Sequence, residues 1–252
     1  MKRKRYISPH DPIALIRRWK RVARSARLEM HEFAMFDDLP VWTLHAREPV
    51  RDGWYFSAGI HGDEPGATEG LITWAEASID WLATHPLRIF PCLNPAGLMT
   101  NRRTDARGRD LNRSFGKRIA PPPIPAWRRE IAGESYRIAL MLHEDYDAVG
   151  IYAYETYGKR GQKFAPSLLE AASTGILIDP RSRIEGMRAK RGLMARRCTP
   201  DLLAAIGAES LALASGAAQS AITVETPSEA ALRTRVEAQE AFIRAAIAAT
   251  SR

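Results

Sequence analysis

Cysteine is scarce: Cys92 and Cys198 are the only two in 252 residues, too few for a disulfide framework and not spaced as a zinc knuckle. Both are expected to be free thiols. Long apolar runs are missing as well. No stretch approaches the ~20 apolar residues of a membrane helix, and the basic start "MKRKRY" leads into no hydrophobic segment of export length. The expected location is the cytoplasm, with no membrane partner. There are no internal repeats and no low-complexity tracts. Acidic residues are the minority charge, 29 against 37 lysines and arginines, which leaves a net charge of +8. These basic residues are spread along the chain without any nucleic-acid-binding motif, so no nucleic acid is expected as a partner. Nothing in the pattern fixes an oligomeric state.

What is present is an ordinary globular composition, 45% apolar and 26% charged, in a length suited to one large domain or two small ones. Helical spacing covers "DPIALIRRWKRVARSA", with Asp11 and Pro12 as cap and first turn. "LPVWTLHARE" reads as a strand, with "GWYFSAGI" as a second beside it. A helix is expected from Pro65 to about His85, then a buried strand in "LRIFPCLNP". Residues 95–124 read as a long loop rich in proline and basic residues, the kind that is usually functional in a compact domain. Further on come a helix starting in "IPAWRREIA", strands in "YRIALMLHEDYD" and "VGIYAYE", and a helix in "FAPSLLEAAS". "DPRSRIEGMRAKRG" reads as a basic surface loop, "AITVETP" as a last buried strand, and the tail as a helix capped by Ser228. Alternating strands and helices imply an α/β fold with a sheet covered on both faces. In such sheets polar groups gather at strand ends, and His61, His143 and Glu225 each follow an apolar strand.

His61 and Glu64 stand as H-x-x-E on a turn, close enough to share one ion, although that pattern alone is common by chance. A more specific signal is "NPAGLMTNRRTDARGRDLNRSFG", residues 94–116. With "HGDE", "LMLHEDYD" and "TVETP" in order around it, the chain resembles the zinc metallocarboxypeptidases of the carboxypeptidase A type, in particular their short bacterial branch. The resemblance implies a single-domain three-layer sandwich with a mixed, mainly parallel sheet of about eight strands. It implies Zn2+ held by His61, Glu64 and His143, with Asp110 orienting the His61 ring. Asn112 and Arg113 would grip a terminal carboxylate, Arg103 would stabilise the oxyanion, and Glu225 would be the general base. The implied activity is hydrolysis of the C-terminal amide bond of a small peptide, cell-wall-derived peptides being the class suggested. Residues 1–50 would lead, through a helix and a first strand, into a catalytic domain over 51–252.

The family's N-P-D-G reads N-P-A-G here, with Ala96 replacing the aspartate. Tyr152, Tyr154 and Tyr157 are the nearest candidates for a tyrosine that closes on substrate, and no motif selects one. A sister branch, succinylglutamate desuccinylase and aspartoacylase, uses the same metal site to deacylate N-acyl amino acids. In that branch the oxyanion arginine lies about eight positions before the arginine of D-L-N-R. Here Asp105 occupies that position and Arg103 stands ten before Arg113, as in the peptidases. On this spacing the peptidase reading comes first and the deacylase second. Either way the partner is a small peptide or acyl amino acid with a free carboxylate.

Overall fold

The computed structural model describes residues 8–46, 49–158 and 164–250. Helix α1 (Pro12–Ala26) starts as its sequence dictates: Asp11 accepts from the Ala14 amide at 2.9 Å, and Pro12 fills the first turn. Strands β1 (Glu29–Phe36) and β2 (Leu39–His45) form a hairpin, followed by β3 (Gly53–Ser57). The helix expected over 65–85 is broken into α2 (Pro65–Glu76) and α3 (Ile79–Thr84). Then come β4 (Leu87–Phe90), α4 (Pro95–Thr100), α5 (Ile124–Glu130), β5 (Tyr136–Asp145), β6 (Tyr152–Tyr157) and α6 (Ala165–Ala172). The remainder is β7 (Arg183–Ile184), β8 (Met187–Arg188), β9 (Leu193–Arg197), α7 (Pro200–Ile206), α8 (Glu209–Ala214), β10 (Ala218–Pro227) and α9 (Leu232–Thr250).

Eight strands make one sheet in the order β1-β2-β4-β3-β5-β10-β6-β9. The centre, β4-β3-β5-β10, is parallel, β6 runs against β10, and β9 is parallel to β6. Strands β2 and β3, read as neighbours in the sequence, are separated by β4. The long β3–α2–α3–β4 connection allows this, because a parallel pair needs a helical crossover.

Side-chain alternation assigns the two faces. Trp54, Phe56, Leu140, Leu142, Ile222 and Val224 point to one side, where they meet α1, α2, α6 and α9 through Trp19, Leu71, Leu168 and Phe242. Tyr55, Ala139, Met141 and Ala221 point to the other, against Leu111, Phe115, Trp127 of α5 and Leu213 of α8. Each large side chain so buried contributes roughly 1.5–3 kcal/mol. The result is a three-layer α/β/α sandwich. Continuing the second alternation by one or two steps leads from Met141 to His143 and from Ala221 to Glu225. The core of that face therefore runs into polar groups at the carboxyl ends of the central strands. Helix α9 begins at Leu232 rather than at Ser228, whose buried hydroxyl has no hydrogen-bond partner among the described residues, so Ser228 is not its cap.

Candidate metal-dependent active site

Beyond β3 the chain turns at Gly59, with φ +64°, and passes through His61 to Glu64, which stands at the N-terminus of α2. Gly62 sits backbone to backbone on Gly97 of α4: a Cβ there would lie 1.9 Å from the Gly97 carbonyl carbon. The Gly62 amide donates to Arg102 O at 3.0 Å, the Arg102 amide to Gly97 O at 2.9 Å, and Asn94 Oδ1 accepts from the Gly97 amide at 3.0 Å. "HGDE" and "NPAG" are thus two halves of one lock. Ala96 plays no part in these bonds.

His61, Glu64 and His143 are each buried, and each can offer one ligand atom such that all three lie within 4.8 Å of one another. Glu64 stands between the rings: Oε1 is 2.5 Å from His61 Nδ1, and Oε2 is 3.0 Å from His143 Nδ1. That second oxygen makes no hydrogen bond among the described residues. Two imidazoles and a carboxylate converging on one point, with a buried oxygen left over, fit a divalent ion of the zinc type. Burial alone would push the His61 pKa down, but Glu64 and Asp110 outweigh it and hold it at about 9. Burial alone would likewise raise Glu64, yet the two histidines bring it to about 2.

The other face of His61 is held by Asp110, Oδ1 lying 3.3 Å from Nε2. Asp110 also accepts from the Asn112 amide at 2.8 Å and, through Oδ2, from Arg103 Nε and Nη2 at 3.2 and 3.1 Å. Arg103 Nη1 stands 3.8 Å from Glu64 Oε1, so this one carboxylate ties the oxyanion candidate to the metal group. The loop expected over 95–124 contains α4, a single 3-10 turn at Leu111–Arg113 and the start of α5. Asp105, 2% exposed, gathers its middle by accepting from the amides of Arg107 and Arg109 and from Arg109 Nε. Asp37, at the β1–β2 turn, accepts from the Ala106 amide at 2.8 Å.

His61, Glu64, Arg103, Asn112, Arg113 and Glu225 all line one cavity of about 410 Å3. Glu225 faces His143 across the parallel β5–β10 pair. Burial, with the charges of Glu64, Asp145 and Glu185, pushes its pKa well above the usual carboxylate range. Arg113 donates to Asn112 O at 3.1 Å and has no carboxylate within ion-pair distance among the described residues. Asp145, Glu185 and Arg196 also line the cavity and were not foreseen. Glu185 falls within the stretch over 179–192 read as a surface loop, which instead forms the β7–β8 hairpin, and Arg196 lies on the β9 strand that follows; both line the cavity. Of the three tyrosines considered, Tyr152 and Tyr154 line the cavity, as the alternation of β6 would have indicated. Their hydroxyls donate to Asp145 Oδ2 at 2.9 Å and Glu185 Oε2 at 2.5 Å.

The family model of the succinylglutamate desuccinylase/aspartoacylase catalytic domain matches residues 53–225. The chain belongs to that family. Among curated proteins none matches the chain. Among solved structures, a proposed metallopeptidase from Shewanella denitrificans OS217 is 19% identical with a TM-score of 0.83, over 96% of this chain and 92% of that one. A metallo-carboxypeptidase from Burkholderia cenocepacia is 15% identical with a TM-score of 0.66, over 92% and 67%. One from Pseudomonas aeruginosa, in complex with (2-guanidinoethylmercapto)succinic acid, is 18% identical with a TM-score of 0.59, over 94% and 69%. At such identities the likeness is one of fold, and the fold is carboxypeptidase-like. The family match and the His–Glu–His group together support a metal-dependent hydrolase.

Proposed function

We propose that the chain is a zinc-dependent carboxypeptidase that hydrolyses the amide bond beside a free carboxylate on a small peptide. The observation that carries this reading is one cavity lined by His61 and Glu64 of the His–Glu–His group, by the buried Glu225 and by the exposed Arg113, the last two without ion-pair partners among the described residues. His61, Glu64 and His143 hold the ion, which when bound polarises the carbonyl and activates water. Glu225, with its raised pKa, takes a proton from the attacking water and returns it to the leaving nitrogen. Arg103, braced by Asp110, meets negative charge developing on the carbonyl oxygen. Arg113 and the Asn112 side-chain amide hold the free carboxylate, and among the described residues no carboxylate lies within ion-pair distance of Arg113. Asp110 keeps His61 oriented through Nε2.

The second reading, an N-acyl amino acid deacylase, is favoured by the family match itself. Both need the same metal group and the same carboxylate clamp, and they differ in what lies on the acyl side. The clamp is tested with Arg113→Ala on matched free-acid and amidated peptides. The KM for the free acid should rise by about ten- to a hundredfold, with little change for the amide. Equal effects on both would remove Arg113 from the clamp.

A further inference from the structure

Glu209 is a buried acid, 1% exposed, that the reaction described above does not use. It opens α8, and its surroundings connect the core to the clamp. Its Oε1 accepts from the Tyr55 hydroxyl, which in turn accepts from Trp127 Nε1 at 2.8 Å. Tyr55 belongs to β3 and Trp127 to α5, so the side chain is anchored in the packed second face of the sheet. Its backbone amide donates to Asn112 Oδ1 at 2.9 Å. Nearby, the Phe115 amide donates to Gly207 O at 2.9 Å. Gly207, with φ +67°, lies so close that a Cβ would meet Arg113 O at 2.8 Å. The turn between α7 and α8 is therefore pressed onto the D-L-N-R segment, and Ala208 and Ser210 continue from it into the cavity wall.

An amide side chain has one acceptor end and one donor end. With Oδ1 of Asn112 occupied by Glu209, the end left for the cavity is Nδ2, a donor, which suits a carboxylate ligand. We infer that Glu209 is a positioning residue of the clamp: its carboxyl, fastened to Tyr55, holds the backbone donor that turns Asn112 Nδ2 toward the substrate carboxylate. This inference rests on the clamp reading given above. Burial raises the Glu209 pKa, so the group can stay neutral in the core beside the tyrosine. Its second oxygen has no hydrogen bond among the described residues, an expense that packing alone does not explain.

The test compares metal-loaded wild type, Glu209→Ala, Glu209→Gln and Tyr55→Phe on a free-acid peptide and its C-terminal amide, with metal content measured in each. Glu209→Ala should raise the free-acid KM about tenfold, leave kcat within about twofold, and leave the amide unchanged. Glu209→Gln, which can still accept from Tyr55, should restore the wild-type KM. Tyr55→Phe, cutting the same anchor from its other end, should shift the free-acid KM in the same direction and supplies the answer if the alanine variant does not fold. Equal changes on acid and amide, or a fall in kcat with KM unchanged, would overturn the positioning role. If wild type itself treats acid and amide alike, the clamp reading fails first and Glu209 has nothing to position.

Discussion

A carboxylate buried at the end of a strand costs free energy unless it is paired, hydrogen-bonded or kept neutral. Glu225 has neither ion pair nor hydrogen bond among the described residues, and its raised pKa answers the cost by favouring the protonated form. A general base is best with a pKa near the working pH, and a metal ion beside it would lower that pKa toward this range. Glu225→Gln should keep fold and metal content and lose turnover by about a hundred- to ten-thousandfold; near-normal turnover would remove Glu225 from that role. The metal group makes a second prediction at this scale. His61 in the ion-free protein stays protonated up to about pH 9, so its pairing with Glu64 is stabilising below its ordinary value of 6.5 and is lost as pH rises through about 9. An ion needs the neutral ring and must displace that proton. Zinc uptake followed by calorimetry in two buffers at about pH 7.5 should therefore release protons, and the release should fade by about pH 10. Uptake without buffer dependence at the lower pH would contradict the charge assigned to His61.

At the scale of elements, the site depends on a strand–turn–helix unit resting on a second turn. Gly62→Ala places a methyl inside the Gly97 backbone. It should lower stability by at least about 1–3 kcal/mol and weaken metal retention, whereas Gly108→Ala, with nothing within 4 Å, should cost only its positive φ. Thermal melts with and without zinc separate the two; equal effects would mean that the Gly62–Gly97 contact does not hold the metal turn. The strands that lead to the site were legible because β3, β5 and β10 are almost wholly buried and carry short, mainly apolar runs, over 54–56, 138–142 and 221–224, that end at a polar residue. The edge of the sheet was not. Strand β1 has Glu29, His31 and Glu32 among its first four residues and is half-exposed on both faces, so no period shows. The two-residue strands β7 and β8 are too short for any pattern, and α7 buries no residue to mark a face. Consequently Glu185 reaches the cavity from a segment that periodicity cannot see, while His61, His143 and Glu225 stand at the ends of strands that it can.

For the molecule as a whole, no helix among the described residues is long and apolar enough to cross a membrane. The chain carries a surplus of eight positive charges, and Arg113 and Arg196 line the cavity without ion-pair partners among the described residues. His61, Glu64, Arg103, Asn112, Arg113 and Glu225, named from family motifs, line one cavity, but the ten-residue spacing of Arg103 and Arg113 does not separate the two branches. The family model that matches belongs to the deacylases, while solved structures of similar fold are described as carboxypeptidases. One fold can host more than one chemistry, so likeness of fold does not choose between the two branches. The central claim is metal-dependent hydrolysis next to a free carboxylate. It is tested most directly by presenting the zinc-loaded and the chelated protein with short free-acid peptides and with N-acyl amino acids. The account predicts cleavage of the peptides that chelation abolishes and zinc restores. Cleavage of the acyl amino acids alone would establish the deacylase reading, and hydrolysis indifferent to chelation, or none in either panel, would contradict the account.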